Sequence, residues 1–180
     1  MPSQSSQFSR LLSALAIAGC VVTAVPVAAL AQGLPGLTIF SGVDREYQLN
    51  YLLDNEGRTS RRDRYHLRIP ADKMSLAVDQ FTVSYPDTYE GRFDADEVEI
   101  VVGGEDISLD EVIWDEENRV IEIYPTEPVP AGTRVDIVLS NVRNPRTPGI
   151  HYFNALVRSP GDNLPLLRYV GTWILSIGGN

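Results

Sequence analysis

The chain predicts an all-β fold, an antiparallel β-sandwich of about seven to nine short strands. Three observations carry this reading. Short runs alternate apolar and polar residues, as in Tyr65-His-Leu-Arg-Ile69 and Arg134-Val-Asp-Ile-Val-Leu139, which is the period of a half-buried strand. Clusters of Gly, Pro, Asn and Asp punctuate those runs. Past the first 31 residues no segment sustains a helical period. A closed barrel is the second architecture this pattern allows.

The elements follow in order. Gln32 to Gly36 reads as a short linker, and Leu37-Thr-Ile-Phe40 as a first strand. Tyr47 to Leu53 alternates, with Tyr47, Leu49 and Tyr51 on one face. The polar stretch Asp54 to Ser60 is a loop. Tyr65 to Ile69 is a strand that Pro70 stops, because proline cannot donate to a ladder. Ala71 to Ser75 fits a single helical turn. Ala77 to Tyr85 is β-rich, with Val78, Phe81 and Val83 as core candidates, and Pro86 ends it. Glu97 to Val102 alternates up to Gly103-Gly104. Glu111 to Trp114 and Arg119 to Tyr124 flank Asp115-Glu-Glu-Asn118, the pattern of a hairpin. Pro125 to Thr133 is a Pro/Gly turn, since proline fixes φ and glycine supplies positive φ. Arg134 to Leu139 alternates Val135, Ile137 and Leu139 inward. Tyr152 to Arg158 and Leu166 to Ile177 are the last β candidates. The final run is apolar on both faces, so periodicity allows a central strand or a partly helical segment. Trp173 within it reads as a core anchor whose N–H needs one partner.

Residues 1–31 read as an export signal. Arg10 precedes a long apolar run, Leu11 to Leu30, and Ala29-Leu30-Ala31 supplies a small-x-small cleavage pattern. Two other readings stay open. Ile17-Ala18-Gly19-Cys20 is similar to a lipobox, which would acylate Cys20 and anchor the protein. An uncleaved anchor is the third, because the run approaches the ~20 residues a span needs. Pro26 argues against it. Cleavage after Ala31 leaves residues 32–180 with no membrane span, the domain being residues 37–180. The expected compartment is the periplasm or the exterior, with a thylakoid lumen or a lipid anchor as alternatives. Cys20 is the only cysteine, so a chain cut after Ala31 has no disulfide, thiolate metal site or cysteine nucleophile.

Charge is segregated. The chain carries a formal net charge of −9, which disfavours nucleic acid as a partner. Between Asp87 and Glu127 stand 15 acids against Arg92 and Arg119. Asp94, Asp96 and Glu97, and then Asp115, Glu116 and Glu117, cluster in predicted loops, and calcium takes several oxygens from such loops. No twelve-residue calcium loop is present, so a weak calcium site stands beside the reading of a solvated acidic face that favours solubility. No other cofactor is expected. Arg58, Arg61, Arg62 and Arg64 form the opposite cluster. They could grip an anionic ligand by paired hydrogen bonds, meet the acidic face of a second copy, or pair with the acidic half of the same chain.

Catalysis finds little support. His66 and His151 are the only histidines, and no nucleophile elbow, phosphate loop or dinucleotide fingerprint occurs. A metal- or carboxylate-dependent hydrolase remains the alternative class, tested by whether both histidines meet three carboxylates in one cleft. Tyr85, Tyr89, Tyr124 and Tyr152 lie near turns and could stack on sugars, with a core role as the plainer reading.

Two resemblances add to this. Ile123-Tyr-Pro-Thr-Glu-Pro-Val-Pro-Ala-Gly-Thr-Arg-Val-Asp-Ile-Val-Leu-Ser-Asn-Val142 resembles bacterial immunoglobulin-like modules, which implies an immunoglobulin-like sandwich. Arg68-Ile-Pro-Ala-Asp-Lys73, Val83-Ser-Tyr-Pro86, Pro128-Val-Pro-Ala-Gly-Thr133, Asn141-Val-Arg-Asn-Pro145, Pro148-Gly-Ile-His-Tyr152 and Tyr169-Val-Gly-Thr-Trp-Ile-Leu-Ser-Ile177 carry the second. Over residues 37–177 the chain is similar to an uncharacterised family of small exported cyanobacterial proteins, a domain of unknown function. That resemblance implies export and a cyanobacterial source, and supplies no catalytic residues. The expected function is an exported, non-catalytic binding or structural module of the cell envelope, with a protein or polysaccharide as partner. A calcium-assisted adhesion module is its variant, and self-association stays open.

Overall fold

The computed structural model of the protein describes residues 42–160 and 166–178. The leader, Cys20, the linker and the expected strand Leu37–Phe40 lie outside the described residues. Two β-sheets face each other. The strands are β1 (Gln48–Leu49), β2 (Tyr51–Leu53), β3 (Arg62–Ile69), β4 (Gln80–Ser84), β5 (Val98–Val102), β6 (Glu105–Ile107), β7 (Leu109–Asp115), β8 (Val120–Pro125), β9 (Val135–Arg143), β10 (Gly149–Arg158) and β11 (Arg168–Ile177). One sheet runs β1-β11-β10-β4-β8-β7 and the other β2-β3-β9-β5-β6. Neighbours are antiparallel except β1, which runs parallel to β11. The fold is an immunoglobulin-like antiparallel β-sandwich.

The patterns read from the sequence explain most of this. In β3 the side chains of Tyr65, Leu67 and Ile69 are fully buried, and the residues between them face solvent. In β9 Val135, Ile137 and Leu139 point into the core. The expected helical turn is a 3-10 turn at Ala71–Lys73. The final apolar run is a strand. β11 is covered on one edge by β10 and on the other by two-residue β1. Trp173 is fully buried and its indole N–H donates to the Arg68 carbonyl at 3.1 Å.

The expected strand Tyr47–Leu53 is two strands. The chain leaves one sheet after Leu49 and enters the other at Tyr51, so its residues stitch the sandwich along one side. Gly171 permits this: a Cβ there would meet Leu49 Cγ and the Tyr47 carbonyl, each at 2.7 Å. β6 is a further strand that the alternation does not signal. It adds to β5 through the Gly103-Gly104 turn, where both glycines have positive φ.

The core fills from the inward faces of both sheets. Phe81, Val83, Ile121, Ile123, Phe153 and Val157 come from the six-stranded sheet and are fully buried. At one end an aromatic cluster seals the sandwich. Tyr85, Tyr89, Phe93, Phe153 and Trp114 pack edge to face, tilted or stacked, with centroid separations of 4.8–6.2 Å. Trp114 donates its indole N–H to the Tyr85 hydroxyl at 2.8 Å. No described helix is long and apolar enough to cross a membrane.

Candidate functional site

The arginine loop folds on the acid at its centre. Asp63 is 3% exposed. Its carboxylate accepts the backbone N–H of Asn55 at 2.8 Å, of Gly57 at 2.9 Å and of Arg64 at 2.8 Å, and the side-chain amide of Asn144 at 3.2 Å. A buried carboxylate is tolerated when it is this fully hydrogen-bonded. Asn144 also donates to the Arg58 carbonyl at 2.9 Å and accepts from the Tyr65 hydroxyl. The Tyr65 and Tyr89 hydroxyls lie 3.0 Å apart, and burial pushes both well above the ordinary tyrosine range. The loop is thus tied to β3, the β9–β10 connection and the aromatic cluster. The sequence pattern drew attention to the arginines on either side of Asp63 and not to Asp63 itself.

The four arginines do not converge on an open anion site. Arg58 pairs with neighbouring Glu56 at 2.9 Å, both exposed. Arg61 enters through its backbone, its carbonyl accepting from Asn144 N–H at 2.9 Å. Arg64 reaches across the sheet to Glu99 at 2.6 Å. Arg62 donates to the Asn141 side-chain carbonyl, and the Asn141 amide donates to Asp94 at 2.7 Å. Asn141 takes this post because β9 carries an extra residue opposite β3, and Asn141 has φ of +58°. Asn tolerates that left-handed conformation better than most residues, and a bulge re-aims a side chain. Arg62, Arg64, Asp54, Glu97, Glu99 and Asn141 line a shallow groove of about 420 Å³. Arg64 is thus ion-paired with the acidic half of the chain, through Glu99.

The six candidate calcium ligands divide between two places. Asp94, Asp96 and Glu97 lie at the 3-10 turn before β5. Asp115, Glu116 and Glu117 lie in the β7–β8 turn, where Asp115 accepts the backbone N–H of Asn118 at 2.9 Å and its side-chain amide at 2.7 Å. Those bonds, the backbone one first, hold the Asp115 carboxyl below its ordinary range. Glu116 lies 3.6 Å from Arg92. Among the described residues no group of three or more carboxylates and imidazoles stands where it could hold a metal ion.

The two histidines sit in different sheets. His66 faces outward from β3, its Nε2 3.3 Å from Asp54 and its Nδ1 3.7 Å from Asp136. His151, in β10, is 5% exposed and packs edge-on against Tyr89 at 5.2 Å. Neither of its nitrogens finds a hydrogen-bond partner among the described residues, and burial lowers its pKa. The cleft that a metal hydrolase would need, with both histidines and three carboxylates, is not assembled from them.

Of the four tyrosines that could stack on sugars or take a core role, Tyr85 and Tyr89 are in the buried aromatic cluster, 7% and 2% exposed. The Pro86 turn is closed by the Tyr89 N–H donating to the Pro86 carbonyl at 3.0 Å, and both tyrosines pack into the cluster. Tyr124 is half-buried, its hydroxyl donating to Glu122 at 3.0 Å. Tyr152 is 45% exposed on the outer face of the six-stranded sheet.

That outer face is a feature no single motif announces. β10 turns Ile150, Tyr152, Asn154 and Leu156 outward, alternating with buried His151, Phe153, Ala155 and Val157. Across β11 the opposite residues are Ser176, Ile174, Thr172 and Tyr169. Across β4, Asn154 faces Ser84 and Leu156 faces Thr82. No outward side chain among these is charged until Arg158 at the end of β10, which pairs with Asp79 at 3.0 Å. The opposite sheet's outer face carries Arg64, His66, Arg68, Glu99 and Asp136.

The collagen-binding domain of a Staphylococcus aureus adhesin is similar at 9% identity over 73% of this chain and 97% of that chain, TM-score 0.41. A C-terminal fragment of the major pilin of Streptococcus agalactiae is similar at 8% identity over 72% of this chain and 54% of that chain, TM-score 0.45. A Nocardia farcinica protein described as having an immunoglobulin-like fold is similar at 9% identity over 74% of this chain and 99% of that chain, TM-score 0.41. The chain spans about half the length of the streptococcal fragment. No curated protein matches the sequence. Residues 37–177 match one family throughout, and the chain belongs to it: Protein of unknown function (DUF2808).

Proposed function

We propose that the protein is an exported, non-catalytic binding module of the cell envelope. The observation that carries this reading is the uncharged outer face of β11, β10 and β4. In a chain with 24 acids and 15 basic residues, β10 and the residues paired with it bring no charged side chain to this face before Arg158, and Glu122 of β8 borders it opposite Thr82. Charge keeps a protein soluble and unattached, so a face without it is suited to a partner. The export reading rests on residues 1–31, whose charge, apolar core and small-residue order match a signal.

The test is to tag the C-terminus, cross-link intact cells of the source organism, and identify what co-purifies from each cell fraction. One dominant envelope component, protein or polysaccharide, is the expected result. Recovery of free protein alone from the medium would contradict the reading.

A further inference from the structure

The geometry points to a neutral, hydroxyl-rich polysaccharide as the ligand of the outer face of β11, β10 and β4. This deepens the binding-module reading and rests on it. A hydrogen-bonded ladder crosses the three strands. The hydroxyls of Tyr169 and Thr172 lie 2.6 Å apart, Thr172 donates to Asn154 Oδ1 at 2.7 Å, and Asn154 Nδ2 donates to Ser84 Oγ at 3.3 Å. Each bond fixes its neighbour's orientation, so the groups are ordered before any ligand arrives. The ladder keeps spare capacity. Asn154 has a second amide N–H, Ser84 has its own O–H, and the Tyr169 oxygen has a lone pair.

One pleat away, about 7 Å along β10, stands Tyr152, and beyond it Ile150, 62% exposed. Tyr152 lies beside Ile174 of β11. An aromatic ring next to ordered hydroxyl and amide groups matches a sugar ring, which has apolar C–H faces and hydroxyl edges. Ring and ladder share one rigid sheet, so a chain of sugars lying across the strands meets both without ordering a loop.

Charge decides which polysaccharide. An anionic polymer would lay carboxylates or sulfates on strands that, among the described residues, bring no cation to this face before Arg158; Lys73 stands at its margin, its Nζ 5.1 Å over the Tyr47 ring that packs on Tyr169. Arg158, at the end of β10, is committed to Asp79. The whole chain is acidic, which repels a polyanion further. A neutral polymer meets neither penalty, and its binding is indifferent to salt.

The test uses the purified protein and immobilised polymers: hydroxyethyl cellulose, starch, galactomannan and dextran as neutral probes, alginate and dextran sulfate as anionic ones. Retention is measured at low and high sodium chloride. The proposal expects retention on at least one neutral polymer, equal at both salt levels. Tyr152→Ala and Asn154→Ala should each weaken it roughly tenfold, with melting temperatures close to that of the parent. A Tyr152→Phe variant should keep most of the binding, since the ring remains. Retention on no neutral polymer would overturn the proposal, and so would retention that Tyr152→Ala leaves intact. Retention only on alginate or dextran sulfate, lost in high salt, would also overturn it and point to the arginine groove. The cross-linking result decides the binding-module reading separately: a protein partner caught there, with no neutral polymer bound, leaves that reading standing without this one.

Discussion

Single residues hold the site region together. Asp63 accepts four hydrogen bonds from three segments while nearly buried. Asp63→Ala strands those donors, and a hydrogen bond to a charged group contributes about 1.5–3 kcal/mol net, non-additively where several share one carboxylate. The expected loss is about 3 kcal/mol in urea denaturation, with the 54–61 loop becoming a protease target. His151 has a different signature. Burial lowers its pKa, so below about pH 6.5 the unfolded chain takes a proton that the folded one refuses. Stability from this group is therefore complete at neutral pH and is lost as pH falls through that value toward the folded pKa. His151→Phe keeps a ring against Tyr89 and removes the two orphaned nitrogens. Urea midpoints at pH 8 and pH 5 should differ less in His151→Phe than in the parent, and the variant should be at least as stable at pH 8. Parallel falls would show that the imidazole is not the source.

Elements were legible where one face is buried and one is wet. β3, β5 and β9 each lie in such a setting, and their alternation in sequence is their alternation in space. β6 escaped because an edge strand of three residues, Glu105–Ile107, has no buried face to impose a pattern. The split of Tyr47–Leu53 between the sheets escaped for another reason: both halves alternate correctly, and only the sheet that receives them differs. Asn141 was unreadable as a site residue because its role depends on a one-residue bulge opposite β3. Gly171 allows the approach of β1. Gly171→Ala should push β1 off β11 and cost about 2 kcal/mol. Hydrogen exchange should then speed up at Gln48 and Leu49 more than in β10, whereas uniform acceleration would assign the glycine to global packing.

At the scale of the whole molecule, the sequence displayed both charge clusters but not their meeting. Arg64–Glu99 and the Arg62–Asn141–Asp94 chain need β3, β5 and β9 side by side. The uncharged face was less legible still. It is gathered from the consecutive strands β10 and β11 and from β4, much earlier in the chain, and each contributes only every second residue. The immunoglobulin-like sandwich therefore separates two outer faces of opposite character. One is studded with paired charges. The other carries Tyr152 and an uncharged hydrogen-bonding ladder, the surface proposed for the partner. The most direct measurement is fractionation of source cells expressing tagged protein with Tyr152→Asp or with the pair Arg62→Ala and Arg64→Ala, each checked for a melting temperature close to that of the parent. Tyr152→Asp is expected to free the protein from the envelope fraction while the arginine pair stays bound like the parent. Retention of Tyr152→Asp together with release of the arginine variant would contradict that proposal.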